Sequence, residues 1–116
     1  MNKGGSIDFI SSISSTYADM GNSIYAATKG GLISFSRVLA LELAPKGVRA
    51  NNVRPGFVAG TGMTEGLSRL SEEQIQLERQ KYPLGFGETR DIANGIIYLL
   101  SDASKSITIN DDITGE

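Results

Sequence analysis

The chain has 116 residues, with Lys+Arg 11 against Asp+Glu 13 and a formal net charge of −2, which suits one folded domain and supplies no basic field for nucleic acid. It contains no His and no Cys, so Cys/His zinc sites, cysteine nucleophiles, Ser-His-Asp triads and disulfide frameworks are excluded within these residues. No apolar run approaches the ~18 residues of a membrane span, and Met1-Asn-Lys-Gly-Gly is not followed by a signal-peptide core.

Gly4-Gly5 leads into Ser6-Ile-Asp-Phe-Ile10, a short alternating run read as a strand. A polar loop from Ser11 to Ser23 follows; its Ser and Thr side chains favour turns. From Ile24 to about Ala44 the pattern predicts a long helix with Ser23 as N-cap. Ala26, Ala27, Ile33, Phe35, Val38, Leu39, Leu41 and Leu43 give it broad apolar cover, which implies burial on two sides. Gly30-Gly31 inside it costs about 1 kcal/mol per residue relative to Ala, read either as tolerated weakness or as close helix packing. Pro45-Lys-Gly47 ends the helix.

Val48 to Val53 reads as a second strand, stopped by Pro55-Gly56. Strand, helix, strand is a β-α-β unit and argues for a parallel sheet of two or three strands. Phe57 to Pro83 is less regular, but Ser71-Glu-Glu-Gln74 predicts a capping box opening a helix to about Lys81. A last amphipathic helix is expected from about Arg90 to Leu100, capped by Thr89, with Ile92, Ala93, Ile96, Leu99 and Leu100 on its buried side. The tail, Ser106 to Glu116, is a poor strand pattern. Neither a repeat nor a second-domain linker interrupts the chain.

With His and Cys absent, acid–base chemistry falls to Tyr, Lys, Asp, Glu or a bound cofactor. The most informative constellation is Ser12, Tyr25 and Lys29. Tyr25 and Lys29 are four apart and share one helix face, so an ammonium can lie beside the phenol. A free Tyr, with pKa ≈ 10, is a poor acid–base group at neutral pH, and a neighbouring cation favours its phenolate. Ser12 follows the first strand, where clefts open in parallel sheets, and its hydroxyl can hold a substrate oxygen while Tyr25 moves the proton. Spacing alone equally describes a solvated pair on a helix surface.

The surrounding residues carry more. Ile10-Ser11-Ser12, Tyr25-Ala-Ala-Thr-Lys29, Leu41-Glu-Leu-Ala-Pro-Lys-Gly-Val-Arg49, Asn51, Val53 and Pro55-Gly56 together resemble the short-chain dehydrogenase/reductase family. The separation of 13 between Ser12 and Tyr25 fits, and the match continues through Glu88-Thr-Arg-Asp-Ile-Ala93 and Tyr98-Leu-Leu-Ser-Asp-Ala-Ser104. The resemblance implies a Rossmann-like α/β fold with a parallel sheet and flanking helices. It implies hydride transfer between NAD or NADP and a small carbonyl or alcohol substrate. By it, Tyr25 is the general acid/base, Lys29 assists it and binds nicotinamide-ribose hydroxyls, and Ser12 positions the substrate oxygen. Pro55 and Gly56 would turn the backbone beneath the nicotinamide, Val58 would offer backbone bonds to its carboxamide, and Thr61 is a further cofactor contact. The segment from about 57 to 83 would be the substrate lid, and the helix of about 24–44 would pack in a homo-oligomer. A cytoplasmic setting is expected, without nucleic-acid or membrane partners.

Departures from the family are equally plain. The resemblance covers only its second half, since members usually run to about twice this length. The glycine-rich phosphate loop, the NAD/NADP-selecting residue and the Asn-Asn-Ala-Gly strand have no counterpart. The chain therefore reads as one partial domain over 1–116, with weak or undetectable turnover expected alone. Thr61 comes six residues after Pro55, where the family tends to place its Thr at five, and Asn110-Asp-Asp-Ile-Thr-Gly-Glu116 does not match the family's closing Asp-Gly-Gly. Charges at Asp111 and Asp112 would sit badly in a buried strand. Gly60-Thr-Gly62-Met-Thr-Glu-Gly66 looks superficially like a dinucleotide fingerprint, but Pro55-Gly56 has already ended the strand, so a lid is expected there. Glu72, Glu73 and Glu78 read as a solvated helix face. Two other functions stand beside the oxidoreductase: a non-catalytic fragment that associates with itself or with a full-length relative, and a Ser–Lys hydrolase using Ser12 and Lys29.

Overall fold

The computed structural model describes residues 2–16, 18–58, 71–109 and 113–114. The alternating run at the start forms β1 (Ser6–Ile10), which pairs in parallel with β2 (Arg49–Arg54), Ser6 opposite Arg49 and Ile10 opposite Val53. A two-residue strand, β3 (Ile113–Thr114), lies parallel on the other side of β2, with Ile113 opposite Val53. The sheet order is β1-β2-β3. The tail thus supplies a strand after all, at Ile113 and Thr114; Asp111 and Asp112 fall outside the described residues. Between β1 and β2 runs α1 (Ser23–Leu43), completing the β-α-β unit.

The start of α1 corrects the sequence reading by one residue. Asn22, not Ser23, is the N-cap; its carbonyl accepts from the Ala26 amide at 2.7 Å, and Ser23 is already helical. At the other end Pro45 lies in a single 3-10 turn, and Gly47 takes the left-handed φ of 71° that reverses the chain into β2. The Gly47 carbonyl accepts from the Gly4 amide at 2.8 Å, so the entrances to β1 and β2 are knitted together.

Successive strand residues face opposite sides. On one side Asn52 donates to the Ser36 hydroxyl, which donates to the Ile33 carbonyl at 3.0 Å, and Phe9 meets Phe35 edge to face at 5.6 Å. Here Ile33, Ser36 and Ala40 of α1 are buried. The expected burial on two sides is only half met. Ile24 (80% exposed), Phe35 (57%), Val38 (56%) and Leu41 (65%) form an outward apolar stripe in the single chain.

On the other side packs α3 (Thr89–Leu100), preceded by α2 (Glu72–Arg79) with the predicted Ser71–Gln74 capping box. Glu88, rather than Thr89, caps α3: the Asp91 carboxylate accepts from the Glu88 amide at 2.8 Å. Leu99 is fully buried and Ile92 and Ile96 half-buried, whereas Ala93 and Leu100 are exposed. The stripe 92, 96, 99 follows helical spacing; Ala93 and Leu100 each sit one residue, about 100° of rotation, off it.

Arg49 locks this side. Its Nη1 donates to the carbonyls of Leu99 (2.9 Å), Ser104 (3.0 Å) and Ile107 (3.3 Å), and its Nη2 to the Ser101 carbonyl (3.2 Å). The Leu99 carbonyl at the end of α3 and the carbonyls of the turns after it are thus satisfied by a cation that also complements the helix dipole.

Candidate functional site

The C-terminal ends of β1 and β2 bring three segments together. Directly after β1, the Ser11 amide donates to the Val53 carbonyl (2.9 Å) and the Ile13 amide to the Pro55 carbonyl (3.2 Å). Between them, Ser12 is extended and caps a 3-10 turn over Ile13–Ser15, its hydroxyl accepting from the Ser14 amide at 3.2 Å. Ser12 is buried, at 8% exposure. Serine suits this place because its short side chain satisfies a turn amide that would otherwise be orphaned.

Tyr25 and Lys29 occupy the first two turns of α1, and both are half-buried. The Lys29 ammonium lies 5.8 Å from the centre of the Tyr25 ring and donates to the Ile10 carbonyl at 3.0 Å. From the other side the Ser11 hydroxyl donates to the Lys29 carbonyl at 2.8 Å. A pair of bonds therefore fixes the second turn of α1 to the end of β1, and with it the Tyr–Lys pair. The four-residue spacing does what it predicts, placing ammonium and aromatic ring together. Ser12 stands two residues beyond the carbonyl that holds Lys29, with its hydroxyl engaged by the turn rather than by the phenol. Ser11 was not singled out by the sequence; its signal was only its adjacency to Ser12.

Pro55, Gly56 and Val58 line a cavity of about 520 Å³, together with Phe57, Tyr82 and Ile92. Ser12, Tyr25 and Lys29 are not among its walls. The site residues expected from sequence thus divide between two adjoining regions at one end of the sheet. The phenol–lysine pair belongs to the α1 side, while the cavity belongs to the α3 side, where Val53 points. Gly87 donates to the Phe57 carbonyl at 3.0 Å in an isolated parallel bridge centred on Val58, which leaves the Val58 amide and carbonyl outside that bond. Thr61 and the Gly60–Gly66 stretch lie outside the described residues, as does part of the expected lid.

The described part of that lid carries an aromatic group the sequence reading missed. Phe57 and Phe86 stack at 4.6 Å, Tyr82 meets Phe86 at 5.6 Å, and the Arg79 guanidinium sits 4.8 Å from the Phe86 ring centre. Burial, reinforced by the Glu78 charge, pushes the Tyr82 phenol above its ordinary value of 10, so it stays protonated at neutral pH. Tyr82 is a wall and a hydrogen-bonding group, not a base. Glu72 and Glu73 are exposed on α2, and Glu78 pairs with Lys81 at 3.0 Å. Among the described residues, no helix is long and apolar enough to cross a membrane.

Comparison with known proteins places this geometry. Residues 1–111 match the family model described as enoyl-(acyl carrier protein) reductase. The chain is 46% identical over 99 residues to the 3-oxoacyl-(acyl-carrier-protein) reductase of Homo sapiens, covering 84% of this chain and 39% of that one. It is 42% identical over 105 residues to the corresponding reductase of Aquifex aeolicus, covering 90% and 41%. Among solved structures, a dehydrogenase/reductase from Sinorhizobium meliloti superposes with a TM-score of 0.84 at 28% identity, over 96% of this chain and 43% of that one. A short-chain dehydrogenase/reductase from Serratia marcescens superposes with a TM-score of 0.82 at 29% identity, over 96% and 44%. The chain spans about two fifths of the length of these relatives. With Ser12, the Tyr25–Lys29 pair and the Pro55-Gly56 turn gathered at one end of a parallel sheet, the chain belongs to the short-chain dehydrogenase/reductase family.

Proposed function

We propose that these residues form the proton-transfer half of a nicotinamide-dependent carbonyl reductase, with 3-oxoacyl thioesters as the first substrate class to try, since the reductases it resembles are named for them. The observation that carries the reading is the Lys29 ammonium held beside the Tyr25 ring by the Ile10 carbonyl. In this reading Tyr25 gives its proton to the developing alkoxide of the substrate, and Lys29 supplies positive charge at the moment the phenol oxygen becomes negative. Ser12, freed from its turn amide, donates to the same substrate oxygen and orients it. The half-buried position of the pair thins out competing water, which strengthens both interactions.

The residues present fit the nicotinamide end of NAD or NADP. The backbone groups of Val58 are not consumed by the bridge to Gly87, and Pro55 and Gly56 border open space beside them. When bound, that group supplies the hydride; Lys29, Pro55, Gly56 and Val58 would hold it, and Thr61 would be a further contact. By the resemblance, the family's glycine-rich phosphate loop has no counterpart in this sequence, so the chain alone is expected to turn over weakly or not at all. The test joins the chain to the preceding portion of the Aquifex aeolicus relative and assays it with NADH or NADPH and a 3-oxoacyl thioester. Activity is expected in the chimera, with Tyr25→Phe costing about 10²–10⁴-fold in turnover. A chimera that binds cofactor yet is indifferent to Tyr25→Phe overturns the assignment. Robust, Tyr25-dependent activity of the 116-residue chain overturns only its incompleteness.

The outward stripe of Ile24, Phe35, Val38 and Leu41 supports a second reading, in which α1 packs against another copy or a full-length relative. In that arrangement the chain is an oligomer with or without catalysis. Sedimentation at micromolar concentration and neutral pH tests it, and a clean monomer dismisses it.

A further inference from the structure

Ser11 is almost wholly buried, at 3% exposure, where β1, β2 and α1 meet. Its amide donates to the Val53 carbonyl at 2.9 Å and its hydroxyl to the Lys29 carbonyl at 2.8 Å. One residue therefore ties the exit of β1 both to the end of β2, just ahead of Pro55, and to the second turn of α1. Its neighbours complete the joint: the Ile10 carbonyl holds the Lys29 ammonium at 3.0 Å, and Ser12 opens the 3-10 turn. That turn meets α1 at a glycine, since a Cβ on Gly30 would stand 3.7 Å from the Ser15 carbonyl oxygen, an ordinary contact distance. Every group in this arrangement belongs to the β-α-β unit itself.

The hydroxyl bond from Ser11 is not one that the helix needs for its own sake. A carbonyl inside an α-helix is already served by the amide four residues on, here that of Ile33. Ser11→Ala therefore orphans nothing: the donor leaves with its side chain, and the acceptor keeps its helical amide. Losing such a bond costs little compared with leaving a buried group unpaired. What the bond does is set a distance. Lys29 is held at both ends, its ammonium by Ile10 and its carbonyl by Ser11, so it spans the gap between α1 and β1 without slack. With the hydroxyl gone, Lys29 holds its turn of α1 to β1 only through a flexible four-carbon stem, which follows movement rather than resisting it.

We propose that Ser11 is a positioning residue for proton transfer: its hydroxyl, acting through the Lys29 main chain, sets the spacing between the Tyr25–Lys29 pair and Ser12. The proposal rests on the reading of Tyr25 as the proton donor. Tyr25 lies one helical turn before Lys29, so its backbone moves with the Lys29 carbonyl. Ser12 is carried by the exit of β1 and does not move with them. Phenol and hydroxyl must both reach one substrate oxygen, and the joint made by Ser11 governs whether they do. A misplacement of about 1 Å can cost about 10²-fold in rate, because the reacting atoms must be aligned. Substrate affinity draws on the whole cleft and is much less sensitive to that spacing.

Steady-state kinetics of the chimera described above, at saturating cofactor, tests this together with a measurement that needs no turnover. Ser11→Ala is expected to lower kcat about 10–100-fold while KM for the 3-oxoacyl thioester changes less than about three-fold. Its unfolding midpoint is expected to match the parent's. Ser11→Thr, which keeps the hydroxyl, is expected to retain most of kcat. In the 116-residue chain, the Tyr25 ring displaces the proton resonances of the Lys29 ε-methylene, read as the difference from Tyr25→Ala. That displacement is expected to change in Ser11→Ala, because the ammonium stays with Ile10 while the ring moves with the helix. Parental kcat in Ser11→Ala overturns the proposal, as does an equal loss in Ser11→Thr, or a variant unfolded at the assay temperature. An identical ring displacement in Ser11→Ala and the parent overturns it too. A chimera indifferent to Tyr25→Phe overturns the reading beneath it, whereas full dependence on Tyr25 with an undiminished Ser11→Ala overturns only the role of Ser11.

Discussion

The two faces of the sheet are held by different chemistry at opposite ends. On the α1 face, at the exits of the strands, serine and lysine side chains bond to main chain: Ser11 to Lys29, Lys29 to Ile10, Ser12 to Ser14. On the α3 face, at the entrance to β2, one long side chain gathers four carbonyls from Leu99 to Ile107. The first arrangement fixes an ammonium beside the Tyr25 ring; the second is spent on closing the end of α3 and the turns after it. Both networks tie side chain to main chain, the first through several residues and the second through one guanidinium.

Substitutions can break that contrast. Arg49→Met is expected to have the largest effect on stability, about 3 kcal/mol, because several charge-assisted bonds vanish and helix-end carbonyls are left buried without partners. Chemical denaturation followed by circular dichroism measures it; a loss below about 1 kcal/mol would mean water takes over the role of the guanidinium. Asp8→Asn works in the other direction. Because the folded chain holds the Asp8 proton more tightly than the unfolded chain, the associated stability is fully present below pH 3.8 and lost as pH rises through about 6. The variant should therefore gain about 1–3 kcal/mol at neutral pH and nothing below pH 4, read from denaturation midpoints across pH. Gly31→Ala is the mildest. A Cβ there meets nothing within 4 Å in the single chain, so the helix should gain about 0.5–1 kcal/mol. If α1 packs tightly against a second copy at this glycine, the same change should weaken association while strengthening the monomer, which sharpens the distinction between the two faces of that helix.

Much of the α1 face was legible in the sequence. Periodicity gave α1, punctuation by Pro45 and Gly47 gave its end, and the spacing of Tyr25 and Lys29 put ring and ammonium together. The α3 face was not. Arg49 reads as the first polar residue of a strand, and nothing local announces that it will serve carbonyls about fifty residues away. Asn51 and Asn52 are poor strand formers that become the centre of β2 because Ile107 and Ser36 take their amides. The caps were missed by one residue at Asn22 and Glu88 because a cap is defined by backbone geometry as much as by residue type. The cavity's separation from the phenol was likewise invisible: sequence orders residues along strands but does not say on which side of the sheet a loop will cross.

The lysine that sits beside Tyr25 is anchored by a main-chain oxygen, that of Ile10, and not by another side chain. Every amino acid carries that oxygen. Position 10 is therefore free to drift in size and polarity across relatives without disturbing where the cation rests, and a survey of natural variation should find this neighbour changeable while its charged client stays put.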